Sequence, residues 1–368
     1  MNIFINIEKQ KDGAMNSLSK DTLLQRGKYK IEKVLGQGGF GITYLATQEL
    51  LERKVCIKEF FFKDSCSRTS TGKVTLGTVG NKDLVERFLN KFIKEARTIS
   101  KLEHPNIIRI LDIFMENGTA YYVMDFIEGE SLEDIVNSRG ALPEHEAIGY
   151  IKQVANALDY LHQRKINHLD VKPANIMIRK KDNIAILIDF GVSKQYDERG
   201  EQTSTTPVGI SHGYASMEQY NVGGVGTFSP QTDIYSLGAT LYKLLTGNTP
   251  PQAIEIFNDG FPELPSSISQ SIADVIKKTM QSRKIDRPNG VNEFLCELMS
   301  LKIMSVDHQR INEQRNYNEK ETNILNDKGK RKTDKDDNAD WALISAFIII
   351  VLFPIVLMLF NLLIGNVN

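Results

Sequence analysis

The chain has 368 residues, of which 41% are hydrophobic and 25% charged, and its formal net charge is −1. This length allows two domains or one large two-lobed domain. Lys and Arg do not exceed Asp and Glu, so the composition gives no reason to expect a nucleic-acid partner. The three cysteines, Cys56, Cys66 and Cys296, are odd in number and lack paired spacing. A disulfide framework or a zinc site is therefore not expected, and a reducing compartment fits better.

The first residues carry little pattern. Residues 1–28 predict a loose leader without the basic start and long apolar core of a signal peptide, and either Met1 or Met15 could be the start. From residue 29 onwards, alternating and β-branched residues broken by glycines predict antiparallel strands, in the segments YKIEKVLG, GITYLATQ and KVCIKEFF. Residues 63–82 are rich in Ser, Thr, Gly and Lys and predict a long loop.

The pattern becomes helical further along the chain. An apolar stripe predicts a helix over 83–101, and two strands around a turn at 116–118 follow it. After residue 128 further helices are expected at 143–163, 231–246, 268–281 and 290–301. Because the strands come first and the helices second, the sequence predicts an α+β fold with two segregated halves.

The C-terminal part has a different composition. Residues 303–340 are polar and highly charged and predict a flexible linker. Residues 341–364 contain no ionisable side chain, and about 20 apolar residues suffice to cross a bilayer as a helix. Lys and Arg precede this segment and none follows it, so the positive-inside rule predicts a single-pass inner-membrane protein whose preceding residues are cytoplasmic. A buried core helix or an aggregation-prone tail is the alternative.

A glycine-rich motif lies between the first two predicted strands. It reads Gly36, Gln37, Gly38, Gly39, Phe40, Gly41 and fits the pattern G-x-G-x-x-G. A dinucleotide-binding fold needs a helix after this motif, whereas here a second strand follows. A hairpin whose backbone amides approach the phosphates of ATP therefore fits better. A flexible hairpin without a ligand remains the alternative.

Lys58 ends the segment VCIK, where a lysine can reach the α and β phosphates and pair with a glutamate of the following helix. Glu95 is the favoured partner because it adjoins the apolar stripe, and Glu86 and Glu103 are its rivals. Without the other motifs, Glu95 would be interpreted as a member of an ordinary Glu–Lys pair on a solvated helix face.

The segment HLDVKPAN and the later IDFG complete the set. Asp170 would orient the hydroxyl that attacks, and Lys172 would neutralise charge on the transferred phosphoryl group. Asn175 and Asp189 would hold Mg²⁺, which takes oxygen ligands and uses few carboxylates. Each residue alone could be a solvated loop residue. All of them in order at these intervals predict phosphoryl transfer from ATP with Mg²⁺.

These motifs, from LGQGGFGITYLA to HLDVKPANIMI, resemble those of bacterial eukaryotic-like (Hanks-type) serine/threonine protein kinases over residues 29–302. The resemblance implies a two-lobed fold with an N-lobe at 29–127 and a C-lobe at 128–302, and ATP between the lobes. It further implies an adenine pocket with Met124 as gatekeeper and a hinge at 125–127. Next to adenine, Thr43 and Cys56 depart from the usual Val and Ala. These pocket residues are Thr43, Cys56, Met124, Asp125, Phe126 and Ile127.

The same resemblance implies roles for residues outside the cleft. Asp233 would brace the catalytic loop, Glu218 and Arg287 would form a buried ion pair, and Ser211 would contact Asp170 and Lys172. Leu169 departs from the family, which often has an Arg there that binds a phosphate on the activation loop. The hypothesis is that activity does not depend on phosphorylation through this site, although residues 203–206 (TSTT) offer hydroxyls for autophosphorylation.

Three functions compete. The first is a membrane-tethered kinase acting on protein serine and threonine, with autophosphorylation in trans between copies. The second is a pseudokinase scaffold, which the presence of Lys58, Asp170, Asn175 and Asp189 disfavours. The third is a small-molecule kinase, which the pair Glu218 and Arg287 disfavours. Residues 63–82 fit either a docking surface or a tolerated insertion.

Overall fold

The computed structural model describes residues 16–76, 82–190, 194–195, 210–220 and 228–298. The predicted linker at 303–340, the predicted transmembrane helix at 341–364 and the hydroxyl-rich segment 203–206 lie outside these residues. None of the helices that the structure describes has the length and hydropathy that a bilayer crossing requires.

Within the described residues, the chain before residue 126 is mainly β-structure. Its strands are β1 (Leu23–Leu24), β2 (Tyr29–Gln37), β3 (Gly41–Gln48), β4 (Arg53–Phe60), β5 (Cys66–Arg68), β6 (Val74–Leu76), β7 (Ile110–Glu116) and β8 (Thr119–Asp125). Six of them form an antiparallel sheet in the order β1-β2-β3-β4-β8-β7, and β5 pairs with β6. Asn117 and Gly118 turn between β7 and β8 with φ of +52° and +73°, which matches the predicted hairpin turn.

Helix α1 (Lys82–Ile99) packs on one face of this sheet, as the apolar stripe predicted. Val85, Phe92 and Ala96 are buried at helical spacing. The ring of Phe92 lies 4.9 Å from that of Tyr122 in β8, between ring centroids. The buried stripe therefore fixes which face of α1 points at the sheet.

Two expectations for the N-terminal half were wrong. Residues 16–28 are not loose, because β1 pairs with β2 and Leu24 is fully buried. Residues 63–76 are not a plain loop, because β5 and β6 form a hairpin whose Arg68 is buried. Strands of two or three residues carry too little alternation to be recognised, and a buried arginine reads as a solvated one in the sequence.

The second half of the described chain is mainly helical. Its helices are α2 (Leu132–Arg139), α3 (Glu144–His162), α4 (Pro230–Thr246), α5 (Ala253–Asp259), α6 (Gln270–Thr279) and α7 (291–298). The sequence predicted α3, α4, α6 and α7 and missed the short α2 and α5. Helix α4 is buried almost throughout, and a Cβ on Gly238 would overlap the side chain of Thr279 in α6. The glycine thus permits close packing of these two helices.

Short strands surround the loop at residue 170. They are β9 (Gly129–Ser131), β10 (Ile166–Asn167), β11 (Ile176–Arg179), β12 (Ile184–Leu187) and β13 (Lys194–Gln195). Strands β12, β11 and β9 form one sheet and β10 pairs with β13. The segment with Asp170 runs from β10 to β11, and Asp189 follows β12. The predicted α+β fold with a β-rich lobe and a helical lobe is confirmed.

Candidate active site

A cleft opens where the two lobes meet. Residues of both lobes line it: Thr43, Cys56, Lys58, Ile108, Tyr122, Met124, Asp125, Phe126, Ile127, Met177, Ile188 and Asp189. Apart from Lys58, Asp125 and Asp189, the lining has no side chain that carries a charge at neutral pH. It therefore suits a flat, largely apolar group with polar contacts at its edge.

Strand register explains why the predicted pocket residues come together. Thr43 of β3 pairs with Lys58 of β4, which pairs with Tyr122 of β8, and Cys56 pairs with Met124. Side chains at alternate positions of a strand share one face, so these five face the cleft. Asp125 and Ile127 follow in the connection between lobes.

Four lining residues escaped the sequence analysis: Ile108, Tyr122, Met177 and Ile188. Tyr122 lies two residues before Met124, so period-two reasoning could have found it. Ile188 directly precedes Asp189, and strand alternation would place these two neighbours on opposite faces. Ile108 and Met177 carry no comparable pattern, because their place depends on how the two lobes meet.

The glycine-rich hairpin joins β2 to β3 beside this cleft. The Gly38 amide donates to the Gly41 carbonyl at 2.8 Å, which closes a tight turn. A Cβ on Gly41 would lie 2.8 Å from the Glu59 carbonyl oxygen and 3.8 Å from Cε of Lys58. Only glycine permits this approach of hairpin to strand. The motif residues Gly36, Gln37, Gly38, Gly39, Phe40 and Gly41 therefore border the Lys58 end of the cleft without lining its inner surface.

Lys58 and Glu95 do not form the predicted ion pair. Nζ of Lys58 donates to Oδ1 of Asp189 at 2.7 Å. Among the described residues, no side chain or backbone group hydrogen-bonds Oε1 of Glu95, which is buried. Burial raises the pKa of Glu95 to about 7, although the nearby charge of Lys58 opposes this. Burial alone would lower the pKa of Lys58, but Asp189 and its other neighbours hold it well above the usual value.

Asp170 lies at the centre of a hydrogen-bond network. Nζ of Lys172 donates to its two carboxylate oxygens at 3.0 and 2.8 Å, and Oγ of Ser211 donates at 2.5 Å. Nδ2 of Asn175 donates to Oδ2 at 2.9 Å. Lys172 also donates to Ser211 at 2.8 Å. The structure thus brings together Asp170, Lys172 and Asn175, which belong to one motif, and adds Ser211 as the family resemblance implies.

Asp233 of α4 sets the shape of the loop before Asp170. Its carboxylate is fully buried and accepts hydrogen bonds from the amides of His168 at 2.9 Å and Leu169 at 2.7 Å. His162 of α3 contacts the same carboxylate through Nε2 at 2.7 Å, and the sequence analysis missed this residue. Burial would raise the pKa of Asp233, but these contacts lower it. The brace allows Leu169 to stand at φ of +65° with its side chain buried.

A second polar connection ties the loop to the segment after residue 210. The side-chain amide of Gln219 donates to the Leu169 carbonyl at 2.9 Å and is buried. Next to it, Glu218 and Arg287 form the implied ion pair at 2.8 Å, with Arg287 almost fully buried. Burial would raise the pKa of Glu218, but Arg287 holds it below its ordinary value. Gln219 was missed because one polar residue in a turn carries no pattern.

The two predicted magnesium ligands lie close in the fold. The amide of Ile188, the residue before Asp189, donates to the Asn175 carbonyl at 2.9 Å. Nδ2 of Asn175 is engaged by Asp170, so its amide oxygen is the side-chain atom left for a cation. One carboxylate and one amide oxygen fit Mg²⁺, which retains several water ligands.

Comparison with known proteins agrees with this geometry. The protein kinase domain family matches residues 29–301, so the chain belongs to the protein kinase family. It is 31% identical over 299 residues to serine/threonine-protein kinase PrkC of Bacillus subtilis, covering 78% of this chain and 42% of PrkC. It is 33% identical over 225 residues to serine/threonine-protein kinase PknJ of Mycobacterium tuberculosis, covering 60% of this chain and 34% of PknJ. The chain thus spans less than half the length of these relatives.

A solved structure of PpkA-294 in its apo form is also similar. Its TM-score is 0.66 at 27% sequence identity, and the match covers 77% of this chain and 99% of that one. The likeness therefore extends over the two lobes described above.

Proposed function

We propose that this chain is an ATP-dependent serine/threonine protein kinase that transfers the γ-phosphoryl group of ATP to hydroxyls of protein substrates. One observation carries the proposal: the Asp170 carboxylate is held by Lys172, Ser211 and Asn175, and Lys58 and Asp189 line the cleft between the lobes. A carboxylate oriented in this way accepts the hydrogen bond of a substrate hydroxyl and aligns it for attack. Lys172 then offsets negative charge on the group in transfer.

The residues around the cleft have complementary tasks. Bound Mg²⁺ supplies charge neutralisation on the phosphates, and Asn175 and Asp189 are the residues that would hold it. Lys58 contacts one oxygen of Asp189, Oδ1. A shift of its ammonium group towards the α and β phosphates and Glu95 would leave both oxygens of Asp189 for the cation. The apolar side chains of Met124 and Ile127 suit adenine, and the backbone of 125–127 would lie at the edge of the adenine ring.

Serine/threonine specificity rests on two features. Lys172 and Ser211 contact each other and Asp170, as the family resemblance implies. Relatives such as PrkC and PknJ are serine/threonine-protein kinases by name. We extend that specificity to this chain.

Leu169 bears on regulation. A buried leucine carries no charge that could bind a phosphate on the activation loop. We infer that catalysis does not require such a phosphate. The backbone of the segment before Asp170 is already held at Leu169, whose amide donates to the Asp233 carboxylate and whose carbonyl accepts from the side-chain amide of Gln219. Replacing Thr203, Ser204, Thr205 and Thr206 together with alanine should leave transfer rates within about threefold of the unaltered protein. A collapse of activity in this variant would contradict the inference.

The membrane tether is the remaining part of the proposal. Residues 341–364 exceed the length that a bilayer-spanning helix needs, and the basic residues before them favour a cytoplasmic kinase domain at the inner membrane. Confinement to the membrane plane would promote trans-autophosphorylation. Alkaline extraction of membranes should leave the full chain in the pellet and release a variant that lacks residues 341–368. Release of both proteins would contradict the tether.

The test of the activity is transfer of labelled γ-phosphate to a generic protein with Mg²⁺. The matched control is Asp170→Asn, which keeps the size of the side chain and removes its charge. We expect a loss of at least about 100-fold, because positioned acid–base groups contribute at least that much. Equal signals from the two proteins would favour a pseudokinase scaffold.

A further inference from the structure

Three phenylalanines meet beside the glycine-rich hairpin. The ring of Phe40 stacks on that of Phe62 with centroids 5.0 Å apart and an angle of 16° between the ring planes. It also lies 4.8 Å from the ring of Phe88, and Phe62 and Phe88 are 5.4 Å apart in edge-on geometry. We call Phe40, Phe62 and Phe88 the aromatic cluster. All its separations fall within the range in which aromatic rings attract one another.

Each ring of the aromatic cluster comes from a different structural element. Phe40 is at the tip of the glycine-rich hairpin, and Phe62 follows β4, the strand that carries Lys58. Phe88 belongs to α1, seven residues before Glu95. Residues seven apart in a helix lie on the same face, two turns away from each other. The cluster therefore links the hairpin to the helix that carries the predicted partner of Lys58.

Backbone bonds support the same connection. The amide of Phe61 donates to the Phe40 carbonyl at 3.1 Å, and the amide of Lys63 donates to the Gly39 carbonyl at 3.0 Å. These bonds hold one side of the hairpin against the end of β4. Towards α1, by contrast, the ring contact of Phe40 with Phe88 is the connection that the structure describes.

Phe40 is about half exposed at the tip of the hairpin. Its side chain is 52% exposed, although it makes two ring contacts. The surrounding glycines leave the hairpin many backbone conformations, and around Gly39 there is open space. A half-exposed phenylalanine at such a tip gains little by burial alone. Its value lies in restricting which hairpin conformations persist.

We propose that the aromatic cluster couples the position of the glycine-rich hairpin to the position of α1, so that Phe62 and Phe88 act as positioning residues for ATP. The proposal rests on the proposed kinase function. It extends that function to two side chains outside the cleft, one of which begins the segment between β4 and α1. Loss of either ring frees the hairpin and weakens its hold on the ATP phosphates.

The test is a double-variant cycle in the full chain with Phe40→Ala, Phe88→Ala and the pair together. We expect each single variant to raise the KM for ATP about five- to tenfold, with the KM for the protein substrate unchanged. The effect of the double variant should be smaller than the product of the two single effects, because the contact between Phe40 and Phe88 is lost only once. Phe88→Tyr, which keeps an aromatic ring at this position, should leave the KM for ATP close to that of the unaltered protein. The matched control is Phe257→Ala, which removes an exposed ring on α5, 62% exposed and outside the active site.

Hydrogen exchange supplies a readout that needs no activity. Phe88→Ala should speed amide exchange in residues 36–41, Phe40→Ala should speed it in α1, and Phe257→Ala should do neither. Multiplying effects in the cycle, or exchange confined to the altered element, would overturn the proposal. If the unaltered chain transfers no phosphate, the proposed function fails, and exchange still decides whether the coupling exists.

Discussion

The adjacent residues Lys58 and Glu59 of β4 lie on opposite faces of the same sheet and meet different surroundings. Glu59 is fully buried and accepts hydrogen bonds from the hydroxyls of Tyr44 and Tyr121, each at 2.7 Å. Arg68 of the β5–β6 hairpin donates to it at 2.6 Å. Arg68 also donates to the carbonyls of Asn16 and Gly72. On this face buried charges have matching partners, as buried charges need.

The face with Lys58 is incomplete by comparison. Lys58 contacts Asp189, and buried Oε1 of Glu95 has no hydrogen-bond partner within the described residues. Two carboxylates thus compete for one ammonium group. We infer from this difference that the charges around Glu59 stabilise the lobe, whereas Lys58 exchanges partners during the reaction. A network with all its partners resists rearrangement, whereas an unpartnered carboxylate makes a second arrangement accessible.

The largest effect on this comparison should come from Arg68→Met. Removing the arginine leaves the charge of Glu59 buried without its partner, and this costs about 3–5 kcal/mol in the free energy of unfolding. Denaturant unfolding measures the loss. The matched control is the double variant Arg68→Met with Glu59→Gln, which removes both charges and keeps one amide oxygen as an acceptor where Glu59 offers two. If the double variant is as unstable as the single one, the ion pair is not the source of the stability.

The next effect concerns the other side of the strand. Lys58→Met should lower the phosphoryl-transfer rate by about 100- to 1000-fold, because a positioned charge next to the phosphates is lost. Its stability should change less than that of Arg68→Met, since the side chains of Lys58 and Asp189 are 20% and 27% exposed, whereas those of Arg68 and Glu59 are 4% and 0% exposed. Steady-state kinetics and thermal unfolding of the two variants give a direct contrast. If the Lys58→Met protein were unstable but active, Lys58 would contribute to stability and not to catalysis, which would contradict the prediction.

For Glu95 we expect a smaller effect on stability, and one that depends on pH. Its pKa is raised to about 7 from an ordinary value of 4.5, so the folded protein binds the extra proton between these values. Stability from this group is complete below about pH 4.5 and is lost as the pH rises through 7. Lys58, Asp189 and Lys91 are the charges nearest to it. Glu95→Gln should therefore stabilise the nucleotide-free protein at pH 8 by on the order of 2 kcal/mol and change little at pH 5.

The measurement is thermal unfolding of both proteins at the two pH values, combined with an activity assay. Groups common to both proteins cancel in the difference. We expect Glu95→Gln to gain stability and lose activity at pH 8, because Lys58 then lacks its exchange partner. An unchanged pH dependence of the unfolding temperature would show that the carboxyl is already ionised or solvated.

Much of the catalytic side could be predicted from the sequence, because its information is local. Lys58 ends a strand-like segment, and Asp170 and Asn175 lie within one short motif. The place of Thr43 and Cys56 in the adenine pocket followed from the family resemblance. The strand order of a β-rich lobe then brings them together. Which carboxylate Lys58 contacts depends on the position of α1 relative to the segment that follows β12 and carries Asp189. That distance is set by tertiary packing, so the sequence pointed to Glu95 and the structure has Asp189.

The network around Glu59 was not predictable for a related reason. Its members Tyr44, Arg68 and Tyr121 come from three separate strands. Each of them resembles an ordinary residue of an amphipathic strand or a polar loop. Only the pairing of β3, β4 and β8 and the folding of the β5–β6 hairpin reveal that they share one buried carboxylate. Residues 63–76 were therefore expected as a loop, although they complete the charge balance of the sheet.

The smallest effect should come from removing one hydroxyl of the same network. Tyr44→Phe deletes a hydrogen bond to Glu59 and leaves the ion pair with Arg68 in place, which should cost about 1–2 kcal/mol. The Tyr44 hydroxyl also accepts the amide of Leu18 at 3.1 Å. Hydrogen exchange should therefore quicken at Leu18 and its neighbours, whereas kinetic constants for ATP should stay as they are. Tyr121→Phe is the matched control, because it loses a bond to the same carboxylate without touching Leu18. Equal exchange at Leu18 in both variants would mean that this segment is held by the packing of β1 and not by the hydroxyl of Tyr44.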